Sequence, residues 1–161
     1  MVLSLVSSAI IFSLKSFNDL SNAELYEILQ LRETVFVVEQ NCVYHDIDGI
    51  DSSCQHIFAT TKNTKKIIAY ARLVPANLKF ETPSIGRVIC HQNYRSQGLG
   101  KALMQQAIIT CYQLYGKRNI KISAQVYLRK FYRDLGFEEI SEPYDEDGIE
   151  HVDMILENFQ S

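Results

Sequence analysis

The chain has 161 residues, of which 47% are hydrophobic, and its formal net charge is −3. This length and apolar content suit one compact domain with a single core. The near-balanced charge, without a block of basic residues, argues against nucleic acid or an anionic membrane as the main partner. The four cysteines, at positions 42, 54, 90 and 111, show no C-x-x-C spacing. Reduced thiols in a cytoplasmic protein are therefore expected.

The N-terminal residues contain an apolar run, but the first basic residue, Lys15, follows it. A signal peptide has its basic residues before the apolar run, and a membrane-spanning helix needs about 20 apolar residues. We therefore predict an N-terminal extension over residues 1–9 and a single domain over residues 10–158. The domain is expected to begin with a strand over residues 10–17.

A helix is predicted from residue 21 to about residue 38, because Ser21 and Glu24 have the spacing of a capping box. The polar segment that follows, residues 39–51, carries three aspartates around one glycine. It lacks the twelve-residue spacing and the final glutamate of a calcium loop. We therefore predict an ordinary turn here, and no metal site. Residues 56–61 and 66–74 are predicted to form an antiparallel pair of strands.

The next segment predicts an apolar strand over residues 85–90 and a helix over residues 98–115. Gly98 and Gly100 lie between them and allow backbone to approach a ligand closely. The first turn of a helix offers free N–H groups to an anion, and Arg95 and Lys101 add positive charge. The pattern favours a phosphate or pyrophosphate site, although a turn without a ligand has the same glycines. A P-loop would need Ser or Thr after Lys101, and a dinucleotide fingerprint would need a third glycine.

The rest of the chain predicts a strand over residues 120–124 and a helix over residues 126–135 that ends at Gly136. Strands over residues 137–140 and 151–156 would complete the sheet. This order of elements predicts a mixed α/β sheet flanked by helices.

Several motifs resemble those of the GNAT superfamily of N-acetyltransferases. Arg95-x-x-Gly98-x-Gly100 resembles its acetyl-CoA pyrophosphate loop, and FYRDLGF at residues 131–137 resembles its second diagnostic segment. Residues 31–51, 69–73 and 144–151 are more similar still to the ElaA-like branch. The resemblance implies a mostly antiparallel central sheet whose fourth and fifth strands splay apart. It also implies acetyl-CoA (coenzyme A) as cofactor and direct transfer of the acetyl group to a primary amine.

The resemblance also implies roles for individual residues. The backbone N–H of Ile89 or Cys90 would stabilise the oxyanion, and Tyr132 would protonate the leaving thiolate, although Tyr132 also suits a core position. Gln125 stands where the family often has Asn. The implied cofactor-binding residues are Val88, Ile89, Cys90, Arg95, Ser96, Gln97, Gly98, Leu99, Gly100, Lys101, Gln125 and Tyr132.

The acceptor side is predicted from the helix over residues 21–38 and the polar segment after it. Arg32, Phe36 and Glu39 share one helical face if the helix persists, and Glu39 is the preferred general base. Substrate binding is predicted for Arg32, Phe36, Tyr44, Asp46 and Asp48. The acceptor is expected to be a small-molecule or peptide amine, and a homodimer is possible.

Two alternatives remain at this stage. Arg32-x-x-x-Phe36, with Asp46, Asp48 and Arg72, also resembles the pattern of acyl-homoserine-lactone synthases. These enzymes share the fold and use acyl-carrier protein and S-adenosylmethionine. A non-catalytic CoA-binding domain is the other alternative. The well-formed loop at residues 95–100 argues against the first, and the presence of Tyr132 argues against the second.

Overall fold

The computed structural model describes residues 9–158. The predicted extension, residues 1–9, therefore lies outside the described residues except for Ala9. None of the described helices is long and apolar enough to cross a membrane.

Within residues 9–158, eight strands form one sheet. The strands are β1 (Ile10–Ser16), β2 (Gln55–Thr61), β3 (Ile67–Val74), β4 (Ser84–Cys90), β5 (Ile120–Gln125), β6 (Glu138–Glu139), β7 (Tyr144–Glu146) and β8 (Ile149–Leu156). Their order is β1-β2-β3-β4-β5-β8-β6, and β7 pairs with β8. Among the described strands, only β4 and β5 are parallel, and they pair at a single position, Ser84 opposite Lys121. The predicted mixed, mostly antiparallel sheet is confirmed, including the separation of its fourth and fifth strands.

Helices cover both faces of this sheet: α1 (Asn22–Arg32), α2 (Leu99–Tyr115) and the short α3 (Arg129–Arg133). Side chains alternate between faces along a strand, so Tyr70 of β3 packs with α1, while Ala71 and Leu73 pack with α2. All eight residues of β3 are buried, as expected for a central strand covered on both faces. The capping box of Ser21 and Glu24 is present at the start of α1.

The helix predicted over residues 21–38 is α-helical only as far as Arg32 and continues as a π-helix over Glu33–Glu39. The Gln40 N–H, for example, donates to the carbonyl of Val35, five residues earlier, at 3.2 Å. The β-branched residues in this segment are crowded in an α-helix. In addition, the Thr34 hydroxyl donates to the Gln30 carbonyl at 2.8 Å, a contact that bends helices.

The C-terminal prediction was partly wrong. The helix expected over residues 126–135 is a 3₁₀ turn, Val126–Leu128, followed by α3, and the strand expected over residues 137–140 is only the two-residue β6. The sequence prediction also missed the hairpin of β7 and β8. Its turn places Asp147 at φ 52° and Gly148 at φ 83°. Two positive φ values define a type I′ turn, and Asp-Gly is a common sequence for it.

Candidate active site

The separation of β4 and β5 opens a cavity of about 950 Å³. We call it the β4–β5 cavity. It is lined by β4 on one side, by β5 and α3 on the other, and by the N-terminus of α2. The π-helix and the hairpin of β7 and β8 complete its walls. This size falls within the range of small-molecule and cofactor sites.

A bulge in β4 shapes one wall of the cavity. On β3, Tyr70 and Arg72 are two residues apart, but their partners on β4, Ile89 and Gly86, are three apart. The extra residue places Arg87 at φ 53°, a left-handed conformation that an L-residue seldom adopts. Bulges of this kind are common beside active sites, where they redirect the strand.

The hydrogen bonding beyond the bulge shows which backbone N–H faces the cavity. The His91 N–H donates to the Ile68 carbonyl of β3 at 2.8 Å. Because N–H directions alternate along a strand, the Ile89 N–H also points towards β3 and that of Cys90 points towards the cavity. Of the two predicted oxyanion donors, only Cys90 therefore has the required orientation. Burial raises the pKa of the Cys90 thiol to about 11, so this side chain is a poor nucleophile.

The N-terminus of α2 forms the end of the cavity nearest to Arg95. Gly98 caps the helix at φ 80° with no side-chain hydrogen bond to the first turn. The first helical N–H groups have no intrahelical partner and are available to an anion. A Cβ on Gly100 would lie 3.7 Å from the Cys90 sulfur and from the Phe131 ring. The packing of the protein itself would therefore tolerate a Cβ at position 100. The absence of this Cβ leaves additional space beside the first turn of α2.

The Arg95 side chain forms a bidentate ion pair with Glu39. Nη2 donates to Oε2 at 3.0 Å, Nη1 donates to Oε1, and Nε donates to the Cys90 carbonyl at 3.0 Å. The hydrogen bonds from Arg95 lower the pKa of Glu39, so this carboxylate is a weaker base than an isolated glutamate. An anion that binds Arg95 must compete with Glu39.

Tyr132 lies against the cavity with only 7% of its surface exposed. Its ring makes edge contacts with Phe131 at 5.0 Å and Phe137 at 6.0 Å between centroids. Burial raises its pKa well above the ordinary value for tyrosine, and none of the residues 9–158 hydrogen-bonds its hydroxyl. The phenol thus keeps its proton and has free hydrogen-bonding capacity.

The segment after the π-helix is attached across the cavity to β5 and to the β7–β8 turn. The side-chain amides of Gln40 and Gln125 exchange two hydrogen bonds, at 3.2 and 3.1 Å. The Cys42 thiol donates to the Asp147 carbonyl at 3.2 Å. Gln125, predicted to bind the cofactor, therefore has a protein partner in this structure.

Arg32 and Asp46 do not line the cavity, contrary to the predicted substrate-binding role. Arg32 is 1% exposed; its Nε donates to Asp46 at 2.8 Å and its Nη1 to Asp51 at 2.8 Å. A buried guanidinium requires acidic partners, and the polar segment supplies them. The Arg32 side chain therefore pairs with aspartates and does not face the cavity. Arg72 joins the same cluster through Asp51 at 2.9 Å. Of the residues that resembled acyl-homoserine-lactone synthases, the charged ones are thus members of an ion-pair network, whereas Phe36 lines the cavity.

Asp48 belongs both to this network and to the cavity wall. Partial burial opposes its ionisation, but two hydrogen bonds from Arg72, at 2.8 and 2.7 Å, outweigh it. The pKa of Asp48 is consequently lowered to about 2. Tyr44 also lines the cavity, and its hydroxyl donates to Asp46 at 2.9 Å.

All but one of the predicted cofactor-binding residues line the cavity. The exception is Gln97, whose side chain reaches only the Asn93 carbonyl, at 3.5 Å. Of the predicted acceptor-side residues, Phe36, Glu39, Tyr44 and Asp48 line it. Polar lining residues that the sequence prediction missed include Gln40, His45, Lys79, Arg87, Ser123, Glu146, Asp147 and His151. The sequence Asp147-Gly148 is a hairpin signal from which the pairing of β7 with β8 could have been predicted. That pairing would have placed Glu146 close to His151.

Comparison with known proteins identifies the class to which this fold and cavity belong. Residues 18–158 match the acetyltransferase (GNAT) domain family. ElaA of Escherichia coli is 38% identical over 144 residues, which is 89% of this chain and 94% of ElaA. A UPF0039 protein of Schizosaccharomyces pombe is 44% identical over 147 residues, 91% of this chain and 96% of its own. The chain therefore belongs to the GNAT family and has the fold of an acyltransferase.

Comparison with solved structures shows which type of GNAT protein this chain is. The crystal structure of Escherichia coli ElaA matches with a TM-score of 0.85 and 37% identity, covering 92% of this chain and 99% of that one. An acyl-CoA N-acyltransferase from Pseudomonas aeruginosa matches with a TM-score of 0.85 and 36% identity, covering 91% and 99%. Within the GNAT family, the chain is of the ElaA-like type.

Proposed function

We propose that this protein is an acetyl-CoA-dependent N-acetyltransferase that acetylates a primary amine in the cytoplasm. The observation that carries the proposal is the β4–β5 cavity itself, in which the free N-terminus of α2, the Cys90 N–H and the Tyr132 hydroxyl all border one space. Membership of the GNAT family supports acyl transfer in general. The cavity supports the choice of an extended anionic donor such as a CoA thioester.

The residues present fit the parts of acetyl-CoA. The loop from Arg95 to Lys101 offers backbone N–H groups and two cations to a pyrophosphate. Towards the middle of the cavity, β4 presents backbone that has no partner on β5 beyond Ser84. That free strand edge suits the amide groups of a pantetheine arm, which can pair with it as a β-strand does.

The chain's own groups then supply the chemistry of transfer. The Cys90 N–H is positioned to donate to the thioester oxygen as negative charge develops on it, and such a donor contributes about 3–4 kcal/mol in other enzymes. The Tyr132 hydroxyl keeps its proton until the sulfur leaves and is placed to provide it. Direct transfer is favoured over an acyl-cysteine route because the buried Cys90 thiol is not ionised near neutral pH.

The acceptor end of the cavity is proposed to hold a small-molecule amine or a peptide N-terminus. Phe36 and Tyr44 provide apolar surface there, and Asp48 provides a carboxylate. An α-amine, with a pKa of about 8, loses its proton more easily than a lysine side chain, with a pKa of about 10.4. A dedicated lysine acetyltransferase is therefore the less favoured choice.

The proposal is tested by following thiol release from acetyl-CoA with a panel of primary amines. We expect acetyl-CoA to stabilise the protein by about 2.7 kcal/mol at a hundredfold excess over its dissociation constant, and at least one amine to release CoA. Stabilisation without release by any amine would indicate a non-catalytic CoA-binding domain. Thiol release from an acylated carrier protein, but not from acetyl-CoA, would indicate the synthase-like alternative.

A further inference from the structure

His151 lines the cavity but has no role in the reaction proposed above. It pairs with Gln125 across β8 and β5, and directly opposite residues on neighbouring strands point to the same face of a sheet. Both residues line the β4–β5 cavity. The His151 side chain is 13% exposed, so it is largely enclosed yet open to the cavity.

The hydrogen bonding of the imidazole determines which ring nitrogen is available. Nδ1 of His151 lies 2.8 Å from the backbone carbonyl of Ile149. A carbonyl oxygen only accepts, so Nδ1 must carry a proton. In the neutral ring the lone pair is consequently on Nε2, the nitrogen that can accept a proton.

The hairpin of β7 and β8 holds this ring in place. The Tyr144 ring stacks on it with centroids 6.2 Å apart and an interplanar angle of 26°. Glu146 Oε2 lies 3.5 Å from Nε2, so a carboxylate borders this nitrogen. Tyr144 is itself held by its hydroxyl, which donates to Asp153 at 2.7 Å.

Glu39, the base predicted from sequence, is less suitable. Arg95 occupies both of its carboxylate oxygens and stabilises the unprotonated form. We propose that His151 Nε2 is the general base that removes a proton from the acceptor amine. This inference rests on the proposed function and names a catalytic residue for it.

The protons balance as follows. Nε2 of His151 takes one proton from the ammonium form of the acceptor, and the freed nitrogen bonds to the thioester carbon as the carbon–sulfur bond breaks. Tyr132 gives its proton to the departing sulfur and regains one from the positively charged nitrogen that the attack creates, which leaves the neutral amide. The net products are the amide, CoA thiol and one proton, which His151 releases to water.

The kinetic test uses the full chain with acetyl-CoA and phenylalanine amide as the probe amine. We expect His151→Gln to lower kcat about 10²- to 10⁴-fold and to leave the affinity for acetyl-CoA unchanged. His91→Gln is the matched control, because His91 caps a turn through Asn93 and is not among the residues lining the cavity. Added imidazole should restore part of the activity of His151→Gly and none of that of Tyr132→Phe. Wild-type kcat in His151→Gln, or a loss in His151→Gly that imidazole does not restore, would overturn the proposal.

A second measurement uses the wild-type protein alone and needs no acceptor amine. Long-range ¹H–¹⁵N NMR of the wild-type imidazoles at alkaline pH distinguishes the two neutral tautomers of each ring. We expect the His151 ring to carry its proton on Nδ1, and a proton on Nε2 would overturn the proposal. If no amine releases CoA, the proposed function fails and the base role of His151 fails with it. If amines release CoA but the tautomer or the His151 variants disagree with these expectations, only the inference about His151 fails.

Discussion

Tyr132 and Cys90 each present a polar group to the β4–β5 cavity. The Tyr132 hydroxyl has no hydrogen-bond partner among residues 9–158, and the Cys90 N–H points away from its neighbour β3. Both groups are therefore free to pair with a ligand, and a few polar groups of this kind among apolar lining residues are typical of a small-molecule or cofactor site.

At this scale we predict the effect of Tyr132→Phe. The ring and its contacts with Phe131 and Phe137 are retained, so the free energy of unfolding and the affinity for acetyl-CoA should change little. If the hydroxyl protonates the leaving sulfur, kcat should fall about 10²- to 10⁴-fold. Steady-state thiol release and a thermal shift with acetyl-CoA measure the two quantities. Tyr26→Phe, at a position that is 72% exposed, is the control; equal kcat in both variants would return Tyr132 to a purely structural role.

Among the elements, the segment from Arg32 to Glu39 shows where sequence prediction reached its limit. Phe36 and Glu39 were expected to share a helical face with Arg32. In the structure Arg32 ends α1 and turns into the ion-pair network, whereas Phe36 and Glu39 follow on the π-helix and line the cavity. A π-helix spaces its side chains differently from an α-helix, so the i, i+4, i+7 pattern loses its meaning after Arg32. No periodicity in the sequence predicts the change from α-helix to π-helix, although the run of β-branched residues disfavours an α-helix.

The strand, loop and helix around Arg95 were predictable for a different reason. Their signals are local: an apolar strand, two glycines and a helix with apolar residues at helical spacing. The ion pair of Arg95 with Glu39 joins residues 56 positions apart in sequence, and the pairing of Gln40 with Gln125 joins residues 85 apart. Such contacts depend on how elements pack together. They could not be derived before the tertiary structure was known.

The start of α2 allows a sharp test of the anion site with Gly100→Ala. The added methyl would sit at ordinary van der Waals distance, 3.7 Å, from Cys90 and Phe131. Alanine also favours helix over glycine by up to about 1 kcal/mol. We therefore expect the unliganded variant to be as stable as the wild type or more so, yet to bind acetyl-CoA at least tenfold more weakly, because the methyl occupies space beside the first-turn N–H groups.

Urea unfolding and isothermal titration with acetyl-CoA measure these opposite effects. Gln105→Ala, an exposed substitution in the same helix, should alter neither quantity by much. Gly98 is a poorer choice for the test, because its φ of 80° strains any other residue and would confound binding with folding. Unchanged affinity in Gly100→Ala would place the pyrophosphate elsewhere.

Across the whole molecule, three arginines from three elements converge on the polar segment after the π-helix. Arg32 comes from α1, Arg72 from β3 and Arg87 from β4, and they pair with Asp46, Asp48 and Asp51. Three positive and three negative side chains leave the network neutral. It anchors the segment that carries Tyr44 and Asp48 to the sheet, so the acceptor wall and the core are expected to lose structure together.

Asp51→Asn tests this coupling, because Asp51 Oδ1 accepts from both Arg32 at 2.8 Å and Arg72 at 2.9 Å. Loss of one buried charge leaves the arginines undercompensated and should destabilise the protein by about 3–5 kcal/mol. Asp134→Asn is the control, because its ion pair with Lys130 is exposed and should be worth less than about 1 kcal/mol. Urea unfolding at neutral pH compares the two; similar small losses would show that the network contributes little to stability.

The same network predicts how wild-type stability depends on pH. Asp48 has a pKa of about 2 in the folded protein and about 3.9 when unfolded. Its contribution is therefore complete above about pH 4 and is lost as the pH falls through about 2. Asp51, whose pKa is also lowered, acts in the same direction. Unfolding free energies should decline more steeply below pH 4 in the wild type than in Asp51→Asn, and parallel declines in the two proteins would rule out Asp51 as a source of the acid sensitivity.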